Sequence, residues 1–215
     1  MPRTNIRPAL QERSREKRDR LIRAGLSVFS RCGYAQTRMV DVAAEASVSV
    51  GVLYQRFTDK RAFFEVIVDT LAERIERDVN DFFDEAETRA ENAGEAWDLS
   101  ELIGRVVATL VEMVARDVGF YLALIAVGEE VPGAIGRIAA VDLHRAQRLH
   151  AFAAGRGLID PTAIDEQKVF FALATAIRML LVTATVDRAP IHLRAPETLA
   201  ELSFMLVGYL QPPKT

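Results

Sequence analysis

A single cysteine, Cys32, stands among the 215 residues, so no disulfide can form within the chain and nothing argues for an oxidising compartment. Eight prolines and twelve glycines are too few for a collagen-like or linker-dominated chain. The longest uncharged apolar run, Val118 to Gly128, is 11 residues, about half of what a bilayer crossing needs. The opening MPRTNIRPAL has no apolar core and no cleavage pattern, so no secretory signal is expected. No stretch alternates with period two long enough to make a strand, and no internal repeat is visible. What is there is ordinary globular composition, 50% apolar and 27% charged, in a chain long enough for one large domain or two small ones. A soluble cytoplasmic protein without membrane contact is expected.

The formal net charge of −3 hides a division. Residues 1–61 hold thirteen Lys/Arg against six Asp/Glu, a balance of +7, and residues 62–215 hold fourteen against twenty-four, a balance of −10. A basic N-terminal third suits a polyanion, whereas the acidic remainder would be repelled by a phosphate backbone.

Apolar periodicity predicts an all-α chain of about nine helices. Residues 1–13, with Pro2, Pro8, Arg3 and Arg7, read as a mobile basic arm. From Ser14 the apolar positions Leu21, Ile22, Val28, Phe29 and Cys32 share one face, and Gly33 ends the helix. Two short candidates follow, Val40 to Ala46 and Val50 to Arg56. They are separated by Ser47-Val48-Ser49, with Ser49 placed as the cap of the second. Thr58-Asp59 then caps a long helix carrying Phe64, Ile67, Leu71, Ile75, Val79, Phe82 and Ala86. Asp98 or Ser100 starts another, with a stripe from Leu99 to Val114. Val118 to Val127 is apolar all round and should be buried. Pro132 opens a helix closed by Gly155-Arg156-Gly157. The last two are expected at about Ala163–Asp187 and Pro196–Leu210.

Two short helices joined by a tight turn form a helix-turn-helix, whose second helix fits the major groove of DNA. In Val50 to Phe57, Leu53 and Phe57 stand at i and i+4 and can face Val28, Phe29, Val42 and Ala46. Val50, Gly51, Val52, Gln55 and Arg56 are then free to face a duplex, with Gly51 allowing close approach.

The run from Phe29 to Thr37 (FSRCGYAQT), the run from Asp41 to Phe57 (DVAAEASVSVGVLYQRF) and Asp59-Lys60-Arg61 together resemble the tetracycline-repressor (TetR) family of one-component transcriptional regulators. The likeness covers about residues 16–76. It implies a helix-turn-helix DNA-binding domain over residues 14–62 and an effector-binding and dimerisation domain over residues 63–215. It also implies that Tyr54 and Lys60 contact backbone phosphates, that Thr37 and the following amides seat the first short helix, and that Val50, Gly51, Val52 and Arg56 face bases or the groove edge. Such phosphate contacts position the protein without reading sequence. Family members often carry Lys at position 50 and Thr at position 52. With valines there, readout should lean on thymine methyls, with Arg56 and Arg38 supplying charge.

Beyond residue 76 only architecture agrees with the family, whose regulatory core holds a small effector. Candidate lining residues are Phe82, Trp97, Val107, Leu110, Met113, Phe120, Tyr121, Leu124, His144, Phe152, Phe171, Thr175 and Met179. The last two helices lack a wide polar face, which predicts pairing of two copies through Phe170, Ile177, Arg178, Leu181, Leu202, Met205, Leu206 and Tyr209. Arg178 reads better as an ion-pair partner at that contact than as an effector anchor. His144 and His150 are six apart without a third ligand, so no metal site is expected. Neither a catalytic constellation nor a cofactor loop is seen, and Cys32 is taken as a buried thiol. The expectation is a ligand-responsive repressor binding a palindromic double-stranded operator as a homodimer. Two alternatives stay open: a helical small-molecule binder or enzyme without DNA binding, and a TetR-like activator or architectural DNA binder without an effector.

Overall fold

The computed structural model describes residues 6–93, 97–185 and 192–211. Among them are eight α-helices and no strand: α1 (Ile6–Gln36), α2 (Met39–Glu45), α3 (Val50–Tyr54), α4 (Lys60–Ala93), α5 (Leu99–Val127), α6 (Pro132–Gly155), α7 (Glu166–Thr185) and α8 (Pro196–Leu210). A 3₁₀ turn, Gly128–Glu130, joins α5 to α6. The chain divides into two compact units, Met1–Thr70 with Gly119–Ile135, and Leu71–Val118 with Gly136–Thr215.

The first unit is built on α1–α3, the start of α4 and the second half of α5. Leu21, Val28, Phe29, Val42, Leu53, Phe63, Phe64 and Phe120 are buried. Phe64 is the hub of an aromatic cluster: its ring centroid lies 4.9 Å from that of Phe29, 5.0 Å from Tyr34 and 5.1 Å from Phe120. Gly119 explains how close α5 comes to α1. A Cβ there would lie 2.4 Å from the Ser30 carbonyl oxygen, so only hydrogen fits.

Three expectations for this region are corrected. α1 starts at Ile6, inside the span read as an irregular arm, because Pro8 falls in a first turn that needs no amide donor. Residues 1–5 of that arm lie outside the described residues. Cys32 is exposed: Gly33 leaves helical geometry (φ 73°, ψ 170°) right after it, so the buried face of α1 ends before that position. Leu122 and Ile125 are exposed, because α5 buries one stripe of its apolar second half and not the whole circumference.

The second unit is a helical core. α5 contributes Leu102, Ile103, Val107, Leu110 and Val114, α6 contributes Val141, Leu149 and Phe152, and α7 contributes Val169, Leu173 and Leu180. On α4 the core register is Ile75, Val79, Phe83 and Ala86, with Phe82 half-buried on the flank. α5 is kinked at Asp117 (φ −122°, ψ 16°). That buried carboxylate accepts from Arg74, and from Arg116 Nε at 3.1 Å, which answers the cost of burying its charge. α7 starts at Glu166, later than expected, because Asp165 Oδ1 accepts from the Lys168 amide at 2.9 Å and caps the helix there. Residues 186–191, including Pro190, lie outside the described residues.

Candidate nucleic-acid interface

The helix-turn-helix is held by short-range bonds. Ser47 adopts a left-handed conformation (φ 54°), and the amides of Ser47 and Val48 donate to the carbonyls of Ala44 and Ala43, both at 3.0 Å. Ser49 caps α3, its hydroxyl accepting from the Val52 amide at 3.4 Å. Five residues cannot hold a helix in water. Here Leu53 and Phe57 are buried, and the Phe57 ring lies 4.6 Å from that of Phe63. Asp59 Oδ1 accepts from the Ala62 amide at 2.8 Å and starts α4.

That anchoring turns the opposite face outward. Gly51, Tyr54, Gln55 and Arg56 are exposed, and Val50 and Val52 half-exposed. A Cβ on Gly51 would meet nothing nearer than the Ser49 hydroxyl at 3.9 Å, so its outer side is open. Arg56 is steadied by donation to Ser14 Oγ at 2.8 Å. Arg38 forms a two-pronged pair with Asp41 (2.8 and 2.7 Å). The pair holds the Asp41 carboxyl below its ordinary range, chiefly through that hydrogen bond. Arg15, Lys17, Arg18, Arg20 and Arg23 add exposed positive charge on α1.

Thr37 and Lys60 carry internal work besides the phosphate contacts that the family resemblance implies. Thr37 is only 2% exposed, and its hydroxyl donates to the Gly33 carbonyl at 2.7 Å, so it closes the broken end of α1. Lys60 donates to the Ala35 carbonyl at 3.1 Å and lies 4.5 Å from the Tyr34 ring centroid. Partial burial lowers its pKa. The Ala35 bond takes one of three ammonium donors.

The second unit presents two concavities. One is a groove of about 880 Å³ between α7 and α8, lined by residues that include Phe171, Thr175, Met179, Leu202, Met205, Leu206 and Tyr209. Ile177 and Leu181 of α7 and Leu202 and Leu206 of α8 are buried, and the two helices are in contact. Phe170 is half-buried, and Arg178 is exposed. Beside them Phe171, Met179, Val182, Phe204, Met205 and Tyr209 stand out, Phe204 at 78% exposure. By length and composition α7 could cross a membrane, yet its inner stripe is packed and it contacts α8.

The other is a cavity of about 510 Å³ lined by α4, α5 and α6: Ile75, Asp78, Val79, Ala108, Thr109, Leu110, Glu112, Met113, Arg116 and Arg145. Of the expected lining residues, Leu110 and Met113 are here, whereas Phe171, Thr175 and Met179 line the α7–α8 groove. Trp97 packs on Phe152 at 5.6 Å, and Phe152 on Phe83 at 5.8 Å. His144 is bonded to Asn80 Oδ1 at 2.9 Å, and Val107 is buried in the helical core. Phe120, Tyr121 and Leu124 belong to the first unit. Ile75, Asp78, Val79, Ala108, Thr109, Glu112, Arg116 and Arg145 line the cavity without having been expected to, and Arg145 is the buried cation among them. Its signal was a cation at the core register of α6, four residues from both Val141 and Leu149. Among the described residues no three His, Cys, Asp or Glu side chains gather as a metal-holding group.

Fold and site together define a helix-turn-helix unit and a second, helical unit. Residues 21–67 match the family model described as "Bacterial regulatory proteins, tetR family". The chain is 35% identical over 68 residues to the HTH-type transcriptional regulator HbdR of Aromatoleum sp. (strain CIB), a match spanning 30% of each chain. Among solved structures, the fatty acid degradation regulator FadR of Bacillus halodurans superposes with a TM-score of 0.69 at 16% identity, covering 91% of this chain and 95% of that one. The transcriptional regulator FadR of Bacillus subtilis, in complex with stearoyl-CoA, gives 0.65 at 18% identity, covering 89% and 98%. These two likenesses establish the fold. Over residues 21–67 the chain is thus similar to the tetR family of bacterial regulatory proteins.

Proposed function

We propose that the protein is an effector-responsive transcriptional repressor of the cytoplasm that binds a palindromic operator as a homodimer. The observation that carries this reading is the orientation of α3. Its Leu53 and the following Phe57 are buried, so Gly51, Gln55 and Arg56 are presented outward within a segment of charge +7. Arg56 and the valines would read base edges, while Tyr54 and Lys60 would bond phosphates. Pairing through α7 and α8 would cover the exposed Phe171, Met179, Val182, Phe204 and Met205, a run of apolar side chains of the kind that marks interaction sites. It would also give two reading heads related by a two-fold axis, matching half-sites about 34–36 Å apart. The cavity among α4, α5 and α6 supports effector binding, and relatives described as fatty acid regulators support an effector with an apolar part.

Induction would be a population shift: an effector that favours a head spacing unfit for the operator lowers DNA affinity by its differential affinity for the two states. α4 runs through the division between the two units at Thr70 and Leu71 and is the natural lever. The test is selection of bound duplexes from a random pool by the full-length protein, followed by sedimentation of protein and complex. A palindromic consensus held by two copies is the expected result. No enrichment over the starting pool, or a one-to-one complex on an asymmetric site, would falsify the reading.

A further inference from the structure

The cavity lined by α4, α5 and α6 contains a cation whose surroundings answer only half of it. Arg145 is 5% exposed. Burying a guanidinium is costly unless its donors meet good acceptors. Its Nη1 donates to Asp142 Oδ1 at 2.6 Å, but the acceptor for Nη2 is the Met113 thioether at 3.2 Å, a weak one. Asp142 is itself largely buried, and burial pushes its carboxyl above the ordinary range while Arg145 pulls it back down.

The acidic groups lining the cavity are answered. Asp78 pairs with Arg116 at 3.2 Å, and Glu112 takes both prongs of Arg194 at 3.1 and 3.2 Å. A cationic ligand therefore finds no unanswered carboxylate, whereas an anionic one finds Arg145 Nη2, whose acceptor is only a thioether. Of the rest of the wall, Ile75, Val79, Ala108, Leu110 and Met113 are apolar, while Thr109 and the Asp78-paired Arg116 are polar. A volume of about 510 Å³ lies within the range of sites for small organic ligands, roughly 300–1,000 Å³.

We propose that this cavity binds an amphipathic monocarboxylate, its carboxylate replacing the Met113 sulfur as acceptor for Arg145 Nη2 and its apolar body lying against Ile75, Val79 and Leu110. As an account of the effector, the inference rests on the reading of the protein as effector-responsive, but the binding itself can be measured without DNA.

Calorimetric titration of the full chain with decanoate and phenylbutyrate, against decanol and phenylbutanol, tests it. The carboxylates should bind about tenfold or more tighter than the alcohols, the gain expected of one buried charge-assisted hydrogen bond. Arg145→Met should abolish that preference. Ala108→Phe narrows the cavity while leaving Arg145 itself in place and should remove binding of all four compounds with the helical circular dichroism signal unchanged, which keeps the test informative if Arg145→Met does not fold. Equal affinity for acid and alcohol, no binding of either acid, or undiminished binding by Ala108→Phe overturns the proposal. A further arm adds each compound to the complex with the selected operator. Carboxylate binding that leaves the DNA complex intact upholds the anion site and sinks the effector reading. Release by the alcohols alone does the reverse.

Discussion

Both α3 and the α7–α8 pair leave side chains uncovered, but of opposite chemistry. Outward from α3 and the residue pair after it stand a glycine, Tyr54, Gln55 and Arg56, and the stability of that element comes from Leu53 and Phe57 on the other side. Outward from α7 and α8 stand Phe171, Met179, Val182, Phe204 and Met205, on helices long enough to persist once packed. The first surface suits a hydrated polyanion, whose charged and polar contacts are made at the surface. The second suits another copy of the same apolar face. Exposure alone is therefore a weak guide, and the chemistry of what is exposed separates the two kinds of partner.

The sharpest way to break this comparison is to unmake one surface and watch the other. Phe57→Ala should cost about 3–5 kcal/mol and unfold the helix-turn-helix in a thermal melt, while sedimentation still shows self-association. Joint loss of both would mean that the surfaces are not independent. Next in size, Phe204→Glu combined with Met205→Glu should weaken self-association by about a hundredfold, roughly 2.7 kcal/mol. Sedimentation equilibrium would show this, with the helical circular dichroism signal unchanged.

Arg56→Ala should cost about 1–3 kcal/mol on the selected operator and relax preference between sequences, whereas Lys60→Ala should weaken every duplex alike and lower the salt slope by about one. Competition binding over a range of salt separates the two, and identical behaviour would erase the split between reading and positioning. The smallest effect is expected of Ser49→Ala. Loss of the cap should cost about 1 kcal/mol, seen as faster hydrogen exchange of the amides of residues 50–54.

Most of the first unit was legible in the chain because its signals are local. Gly33, Ser49 and Asp59 end or cap helices by bonds to residues no more than four positions away, and the i, i+4 pair Leu53 and Phe57 marks the inner face. Cys32 apart, the misread positions share one property: their environment is set by elements distant in sequence. Cys32 has the spacing of a core residue, yet Gly33 turns the chain away after it. Phe82 and Phe83 are equally apolar neighbours, and only the packing of α4 selects Phe83 for the core. The expected effector set mixed residues of one apolar character that the fold distributes between the α7–α8 groove, the aromatic cluster at Trp97, and Phe120, Tyr121 and Leu124 in the other unit.

Short-range rules alone settled that the regular structure among the described residues is helical, that Ser49 and Asp59 cap helices, and which face of the short stretch from Val50 turns outward, since hydrogen bonds and hydrophobic spacing within a few residues decide those features. Three-dimensional packing alone decided that Arg145 is buried with a thioether as one of its two acceptors, that Asp117 sits in an arginine clasp at a kink, and that Thr37 faces inward. Desolvation and pairing depend on neighbours such as Met113 and Arg74, dozens of residues away, and no local pattern records who those neighbours are.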